Sequence, residues 1–216
     1  MTAALAVRDL TFTYRRGAPP VFARLSHNFA AGAVTAITGP SGAGKSTLLY
    51  VLGLMLTPTA GTVYWSGEPV TAWRDGDRSR LRAAHIGFVF QDAMLDPSRT
   101  ALGNVAEAGA IAGMPAARVT HEALTLMQRF GVADRAHHRP GEVSGGQAQR
   151  IALCRALVKR PTVILADEPS GNLDPDSADI VWTALHAAAA DGATVVVATH
   201  DRARAAAADH QFFIAA

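Results

Sequence analysis

Short apolar segments, many of them rich in β-branched residues, recur along the chain and predict β-strands. They lie at residues 5–14, 21–29, 33–38, 61–65, 86–90, 162–166, 194–199 and 211–214. From residue 33 onward, segments of helical character separate several of these strands, and this alternation is typical of a mostly parallel α/β sheet. The first strands have no helix between them, which predicts an antiparallel β edge region.

The predicted helices fall into two groups. Those of the α/β core lie at residues 46–54, 146–159 and 174–190, with an alanine-rich helix after residue 200. Between residues 92 and 145 the strand signals vanish, and helical patterns at 100–112 and 115–130 predict an α-helical insert. We therefore expect one domain over residues 1–216, with 1–91 and 146–216 as the core and 92–145 as a helical subdomain.

A glycine-rich segment joins the predicted strand at 33–38 to the helix that follows it. Residues 39–47 have the sequence GPSGAGKST, which fits the pattern G-x-x-x-x-G-K-[ST]. Glycines let successive backbone N–H groups point at phosphate oxygens, and the helix N-terminus adds partial positive charge. Lys45 can reach the β- and γ-phosphates, while the Ser46 hydroxyl can bind Mg²⁺. The segment therefore predicts binding of a nucleoside triphosphate.

Composition singles out the lysine of this loop. The chain carries 18 arginines and two lysines, Lys45 and Lys159. A chain that uses arginine almost everywhere keeps a lysine at position 45, which indicates a site that needs a compact ammonium group rather than a planar guanidinium.

Two further segments carry groups that suit a phosphate site. The apolar strand at 162–166 leads to Asp167 and Glu168, at the end of the strand where ligands bind in parallel sheets. There Asp167 would hold Mg²⁺, and Glu168 would polarise the attacking water as a general base. The sequence SGGQ at 144–147 places a hydroxyl and backbone N–H groups at another helix start, which predicts a second anion site.

Composition excludes several other classes of protein. A single cysteine, Cys154, rules out an internal disulfide and a site with two zinc-bound cysteines. The formal net charge is +2, and the basic residues at 74–82 lie beside acidic ones, so they predict a solvated surface rather than a nucleic-acid site. The first residues lack the apolar region of a signal peptide, and no stretch of about 18 residues is apolar enough to span a bilayer.

Together these segments resemble the nucleotide-binding subunit of an ATP-binding cassette (ABC) transporter, and the resemblance covers essentially the whole chain. Six motifs follow the family's order: Walker A at 39–47, the Q-loop at Gln91, the signature at 143–147 (VSGGQ), Walker B with its glutamate at 163–168, the D-loop at 170–174 and the H-loop at His200. Tyr14 lies where the family has an adenine-stacking aromatic. Within the family, GFVFQ, LGNV and EPSGNLD resemble the subgroup that serves lipoprotein release, macrolide or peptide export, and cell division.

The resemblance implies a P-loop NTPase (RecA-like) α/β core with a mostly parallel sheet, an antiparallel β edge subdomain and an α-helical insert. It also implies an ATPase that uses ATP and Mg²⁺. The implied catalytic residues are Glu168, His200 and Lys45, and the implied metal ligands are Ser46, Gln91 and Asp167. The implied nucleotide-binding residues are Tyr14, Gly39, Pro40, Ser41, Gly42, Ala43, Gly44, Lys45, Ser46, Thr47, Gln91, Ser144, Gly145, Gly146 and Gln147.

The same resemblance implies how the chain would work with partners. Two copies would form a homodimer in the ATP-bound state, each ATP lying between the Walker A motif of one copy and the signature of the other. Closing and reopening of this dimer would drive a separate membrane permease, without nucleic acid. The chain is accordingly expected to be peripheral, on the cytoplasmic face of the inner membrane.

Other functions for such a chain remain open at this point. One is a regulatory ATPase that signals through a membrane partner and moves no substrate, as the division-linked relatives do. Another is a soluble ABC ATPase acting on DNA or ribosomes, although those usually carry coiled-coil arms or tandem cassettes, for which this chain is too short. A P-loop kinase or GTPase is disfavoured, because neither explains SGGQ or His200.

Overall fold

Two β-sheets, one antiparallel and one parallel, contain nine strands within residues 5–215, the part of the chain that the computed structural model describes. The strands are β1 (Leu5–Phe12), β2 (Phe22–Phe29), β3 (Ala33–Thr38), β4 (Ala60–Trp65), β5 (Glu68–Pro69), β6 (Ile86–Val89), β7 (Val163–Asp167), β8 (Thr194–Ala198) and β9 (His210–Phe213). The antiparallel sheet has the order β2-β1-β4-β5, and the parallel sheet has the order β6-β7-β8-β3-β9.

Seven α-helices connect these strands within the same residues. They are α1 (Lys45–Leu52), α2 (Asp75–His85), α3 (Ala101–Ile111), α4 (Ala116–Arg129), α5 (Gly145–Leu157), α6 (Pro175–Ala190) and α7 (Arg202–Ala206), and two short 3₁₀ turns precede α5. Across residues 5–215, none of the helices has the length and apolar character needed to cross a membrane.

The parallel sheet is buried on both faces, which explains why its central strands are continuous apolar runs. Every residue of β7 and β8 is buried. Alternate side chains point to opposite faces, so Ile164 packs with α5 and α6 while Leu165 packs with α1 and the antiparallel sheet. Apolar packing on both faces of the sheet therefore fixes the position and direction of each strand end.

Most predicted elements are present, with ends that differ by a few residues. The first strand ends at Phe12 rather than at residue 14, and α1 begins at Lys45, one residue before the predicted start. The predicted helix at 174–190 is present as α6, where the Asp174 carboxylate caps the N-terminus by accepting a hydrogen bond of 2.9 Å from the Ser177 N–H, and Pro175 follows it.

Helix α2 was not predicted, and its sequence explains why. Leu81 is its one buried residue, so the segment lacks the apolar stripe by which amphipathic helices are found. Ion pairs three residues apart, between Arg78 and Asp75 and between Arg80 and Asp77, support it instead. Lys159, at the end of the α5 region, donates hydrogen bonds to two carbonyls in the last turn of α2.

The segment between β6 and β7 is helical, as the sequence indicates. Helix α3 packs against α4 and α5, and α5 also packs against β6 and α6. Because α5 contacts both the helical segment and the sheet, the predicted subdomain boundary at residue 145 falls within a continuous packed layer and stays a prediction.

The close packing of α5 on β6 can be tested at a glycine. A Cβ atom on Gly87 would lie 2.6 Å from the Ala156 carbonyl oxygen and 3.0 Å from Cγ of Pro161. Gly87→Ala should therefore lower the free energy of unfolding by about 1–3 kcal/mol, as overpacking of a core does. Gly76→Ala in α2, whose Cβ would meet nothing within 4 Å, should instead raise it by about 0.4–1 kcal/mol. Urea denaturation measures both, and equal midpoints would contradict the close contact.

Candidate active site

The carboxyl ends of four adjacent parallel strands meet at one edge of the sheet. The glycine-rich loop follows β3, Asp167 ends β7 and Glu168 follows it, His200 comes shortly after β8, and Gln91 comes shortly after β6. Ligands of open α/β sheets bind outside this edge. The fold thus gathers on one edge four of the segments that the sequence singled out separately.

The glycine-rich loop, residues 39–44, adopts a backbone that glycine alone accepts easily. Gly39, Gly42 and Gly44 have φ angles of 149°, 81° and 88°. A Cβ on Gly39 would lie 2.4 Å from the Ile214 carbonyl oxygen, and one on Gly44 would lie 2.4 Å from a methyl carbon of Val21. The loop therefore packs closely against the neighbouring segments that contain Val21 and Ile214.

The tip of this loop is open to solvent and its base is anchored. Pro40, Ser41 and Gly42 are exposed, whereas Ala43 is buried. The Lys45 Nζ donates to the Gly39 and Pro40 carbonyls, at 3.0 and 3.1 Å. These bonds hold the ammonium group across the loop, beside the first turn of α1, whose backbone N–H groups have no partner within the helix.

Asp167 and Ser46 are in direct contact at the end of β7. The Ser46 hydroxyl donates to Oδ1 of Asp167 at 3.0 Å, and Asp167 is buried. Burial raises the pKa of Asp167, and the neighbouring Glu168 carboxylate adds to the rise, while the Ser46 hydrogen bond opposes it. A cation at this position would remove much of the penalty for a buried carboxylate.

Glu168 and His200 form the second polar pair of this edge. Nδ1 of His200 lies 2.9 Å from Oε1 of Glu168. Glu168 has a φ angle of 44°, in the left-handed region that residues with a side chain rarely occupy. Strained backbone of this kind is common at functional sites, where surrounding contacts hold it in place.

Tyr14 lies on the surface beside the phosphate loop. Its side chain is 63% exposed, and its ring meets Phe12 edge-on with 4.9 Å between the ring centroids. The Tyr14 hydroxyl and Oγ1 of Thr47 are hydrogen-bonded to each other at 2.8 Å. This bond ties the exposed ring to α1, so Tyr14 does not simply fill the core.

The SGGQ segment forms the N-terminus of α5 and not part of this edge. The Ser144 hydroxyl accepts a hydrogen bond from the backbone N–H of Gln147. In return, the side-chain Oε1 of Gln147 accepts one from the backbone N–H of Ser144, which completes a capping box. Gly145 is exposed, and Gly146 lies against Ser177 at the start of α6. Within residues 5–215, no hydrogen bond joins residues 144–147 to the phosphate loop.

Sequence reasoning places Gln149 on the helix that follows SGGQ but gives it no role at the site. This residue of α5 is buried, and its Nε2 donates to the Phe90 carbonyl at 2.9 Å and to the Pro169 carbonyl at 3.2 Å. Phe90 precedes the exposed Gln91, and Pro169 follows Glu168. A glutamine on a helix carries no mark of burial in the sequence, so no local signal distinguishes Gln149 from a surface residue.

A profile of the family described as "ABC transporter" matches residues 22–171, more than half of the chain. The chain belongs to this family. Its curated relatives include three proteins named "Lipoprotein-releasing system ATP-binding protein LolD". That of Paramagnetospirillum magneticum is 46% identical over 172 residues, which is 79% of this chain and 76% of the relative. That of Maricaulis maris is 42% identical over 194 residues (89% and 85%), and that of Xanthomonas oryzae pv. oryzae is 43% identical over 204 residues (93% and 84%).

Solved structures of ABC cassettes have the same fold. The dimeric structure of MJ0796, a bacterial ABC transporter cassette, matches with a TM-score of 0.90 and 33% identity, over 98% of this chain and 94% of that one. A dimeric post-hydrolysis state of the same cassette, bound to ADP and Pi, also matches with a TM-score of 0.90 and 33% identity, over 97% of this chain and 94% of that one. The predicted fold class is confirmed.

The ABC chain is thus an ATP-binding, ATP-hydrolysing subunit of a transporter, as its sequence predicted. The relatives also confirm the predicted subgroup, because they belong to lipoprotein-releasing systems. The role of each site residue stays a prediction. The geometry of the ABC chain brings Lys45, Ser46, Asp167, Glu168 and His200 to one edge, and it leaves Ser144 elsewhere on the surface.

The raised pKa of Asp167 predicts how stability depends on this side chain. In the unfolded chain Asp167 ionises at the ordinary pKa of aspartate, and in the folded chain it ionises at a higher pH. The folded chain therefore becomes less stable relative to the unfolded chain as the pH rises from the ordinary pKa toward the raised one. Asp167→Asn, which stays neutral and keeps an acceptor for Ser46, should raise the melting temperature of the nucleotide-free chain at pH 7. The gain should shrink toward pH 4, about the ordinary pKa of aspartate.

Calorimetry at several pH values measures this effect. The exposed Asp92 offers a matched control, and Asp92→Asn should leave the melting temperature nearly unchanged. A lower melting temperature of the Asp167→Asn chain at pH 7 would show that the folded chain stabilises the ionised carboxylate, and it would contradict the raised pKa.

Proposed function

We propose that this chain is the ATPase subunit of a lipoprotein-releasing transporter. It is peripheral, on the cytoplasmic face of the inner membrane, and powers a separate membrane permease. The observation that carries this proposal is the pair of contacts at the sheet edge, Ser46 with Asp167 and Glu168 with His200. The names of the relatives support lipoprotein release as the process that the hydrolysis drives.

The phosphate loop and Tyr14 bind the nucleotide in this proposal. Backbone N–H groups of residues 39–47 and the N-terminus of α1 hold the phosphates. Lys45 neutralises charge on the β- and γ-phosphates, and its two hydrogen bonds to the loop hold the ammonium group ready for them. Tyr14 stacks on the adenine, which its 63% exposed side chain allows.

The residues at the end of β7 fit a magnesium ion. Ser46 and Asp167 offer a hydroxyl and a carboxylate oxygen 3.0 Å apart, and Gln91 is the third proposed ligand. Within residues 5–215, no group of three His, Cys, Asp or Glu side chains could hold a metal ion alone. This suits Mg²⁺, which is usually bound by one or two carboxylates together with substrate phosphates. When bound, the ion neutralises charge that develops on the phosphate oxygens.

Glu168 is the general base in this proposal. It accepts a proton from the water that attacks the γ-phosphate, and it lies directly after Asp167 on the same strand end. His200, 2.9 Å from the Glu168 carboxylate, orients that carboxylate and contacts the γ-phosphate. The burial of most of Glu168 and the exposure of His200 place the pair at the boundary between the sheet edge and solvent.

A second copy of the chain completes the site. Ser144 and its neighbours form an exposed helix N-terminus that makes no hydrogen bond to the phosphate loop of its own chain within residues 5–215. In a symmetric dimer this segment meets the γ-phosphate held by the partner copy. The dimeric MJ0796 structures support this arrangement.

Reconstitution tests the transport function. The chain would be purified with its permease, inserted into proteoliposomes that carry an acylated lipoprotein, and supplied with ATP. Release of the lipoprotein into the medium supports the proposal. ATP hydrolysis without release of any substrate would support the regulatory alternative and overturn lipoprotein release.

Glu168→Gln should keep ATP affinity and slow hydrolysis by about 10²-fold or more, as loss of a general base does. The ATP-bound dimer should then accumulate on size exclusion, because the step that opens it is blocked. Single-turnover hydrolysis and nucleotide titration measure the two effects. Glu68→Gln, at an exposed position in β5, is the control and should hydrolyse ATP at the parent rate. A parent rate for Glu168→Gln would remove Glu168 as the base.

Ser144→Arg should leave the ATP affinity of the monomer nearly unchanged and block ATP-driven dimerisation. A bulky cation would fill the space that the partner's γ-phosphate needs, while the phosphate loop of the same chain is untouched. ATP titration at dilute protein, followed by size exclusion in the Glu168→Gln background, measures both. Thr120→Arg, on the exposed surface of α4, controls for the added charge. A large loss of monomer affinity, or an unimpaired dimer, would overturn the two-copy site.

A further inference from the structure

Gln149 joins three parts of the molecule through a single side-chain amide. It lies in α5, which begins with the signature segment, and it is 3% exposed. Its Nε2 donates to the Phe90 carbonyl at 2.9 Å and to the Pro169 carbonyl at 3.2 Å. A side-chain amide has two N–H donors, and both are used here. The two acceptors lie just past the ends of the adjacent strands β6 and β7.

The Pro169 carbonyl is next to a strained residue. Glu168 has a φ angle of 44°, and a residue with a side chain keeps such a conformation only when its surroundings determine it. The Glu168 N–H donates to the Ala198 carbonyl at 2.9 Å, and the Glu168 carbonyl accepts from the Gly171 N–H at 3.1 Å. Pro169 has no N–H of its own, so its carbonyl is the one backbone polar group through which the fold can fix it.

The hydrogen bond to the Phe90 carbonyl links the same amide to the end of β6. Phe90 immediately precedes Gln91, the proposed ligand from that strand. Because Gln149 bonds both carbonyls, it sets the distance between the backbone beside Gln91 and the backbone beside Glu168. Loss of both bonds would leave these two carbonyls without the amide that joins them, while α5 would stay packed on β6.

We propose that Gln149 is a positioning residue for ATP hydrolysis: its two hydrogen bonds hold the backbone on either side of the site so that Glu168 stays aimed at the attacking water. The inference rests on the proposed role of Glu168 as the base. Gln149 itself touches neither nucleotide nor water in this role. The phosphate loop and Tyr14 form no hydrogen bond with the Phe90 or Pro169 carbonyl, so loss of the two bonds leaves the loop and Tyr14 in place to bind the nucleotide.

Gln149→Met is the direct test, because methionine keeps the length of the side chain and removes both donors. The kcat for ATP should fall by about 10²-fold, the effect of a misplaced catalytic group, while the affinity for a fluorescent ATP analogue should stay within about twofold. Hydrogen exchange in the nucleotide-free chain should quicken at the amides of Glu168 and Gly171. Gln128→Met, on the exposed face of α4, is the matched control and should change none of these.

Gln149→Glu gives a second, independent measurement. In its ionised form the carboxylate would face two carbonyl oxygens without a donor, whereas the protonated form, which burial and low pH both favour, would regain one donor. The ratio of parent to variant kcat should therefore fall as the pH is lowered. A ratio that does not depend on pH would contradict a role for the donated hydrogen bonds.

A double-mutant cycle decides whether Gln149 acts through Glu168. In the Glu168→Gln background, Gln149→Met should slow hydrolysis by less than about twofold, because the group it positions is already absent. An undiminished loss in that background, or a fall in kcat and ATP affinity together, would mean that Gln149 supports the fold in general and would overturn the proposal. A parent rate for Glu168→Gln alone would instead refute the role of Glu168, so the two failures are distinguishable.

Discussion

Burial of the parallel sheet between two apolar layers is the constraint on which the site depends. Helices α5 and α6 cover one face, and α1 with the antiparallel sheet covers the other. The carboxyl ends of parallel strands buried in this way meet at one edge of the sheet, so the residues that follow the strands lie close to one another there. Polar and charged side chains that are distant in sequence are thereby held within hydrogen-bonding distance, as Ser46 and Asp167 are.

The rigid sheet also supports groups that would be unfavourable elsewhere. Asp167 is buried with a raised pKa, and Glu168 sits in a left-handed backbone conformation. Each of these features costs free energy locally. The apolar packing of β7, in which every residue is buried, offsets that cost. A buried carboxylate beside a helix N-terminus is an arrangement that a cation and phosphates would stabilise.

The SGGQ segment at residues 144–147 lies on a different layer of the molecule, at the start of α5. Ser144 and Gln147 use each other's hydrogen bonds to cap α5, and Gly146 packs on the start of α6. The cap keeps the segment ordered while leaving Ser144 exposed. Within residues 5–215, this segment makes no hydrogen bond to the phosphate loop of its own chain.

Local sequence patterns were enough to predict most strands, the phosphate loop and the pair Asp167–Glu168, because each depends on neighbours in the chain. Glycines at 39, 42 and 44 indicate a loop whose backbone has positive φ angles, and an apolar run followed by two carboxylates indicates the end of a buried strand. Such signals need no knowledge of what packs against them. The family resemblance added His200 and Tyr14 to the predicted site.

Helix α2 and Gln149 were beyond the reach of those patterns. The helix is held by ion pairs and by Lys159, which lies far along the chain, rather than by an apolar stripe. Gln149 owes its burial to carbonyls at residues 90 and 169, which come together only when β6, β7 and α5 pack. Local residue patterns are enough to show which groups suit phosphate chemistry. Which of these groups are in contact depends on the packed fold, because contacts between distant segments form only after the apolar layers have closed.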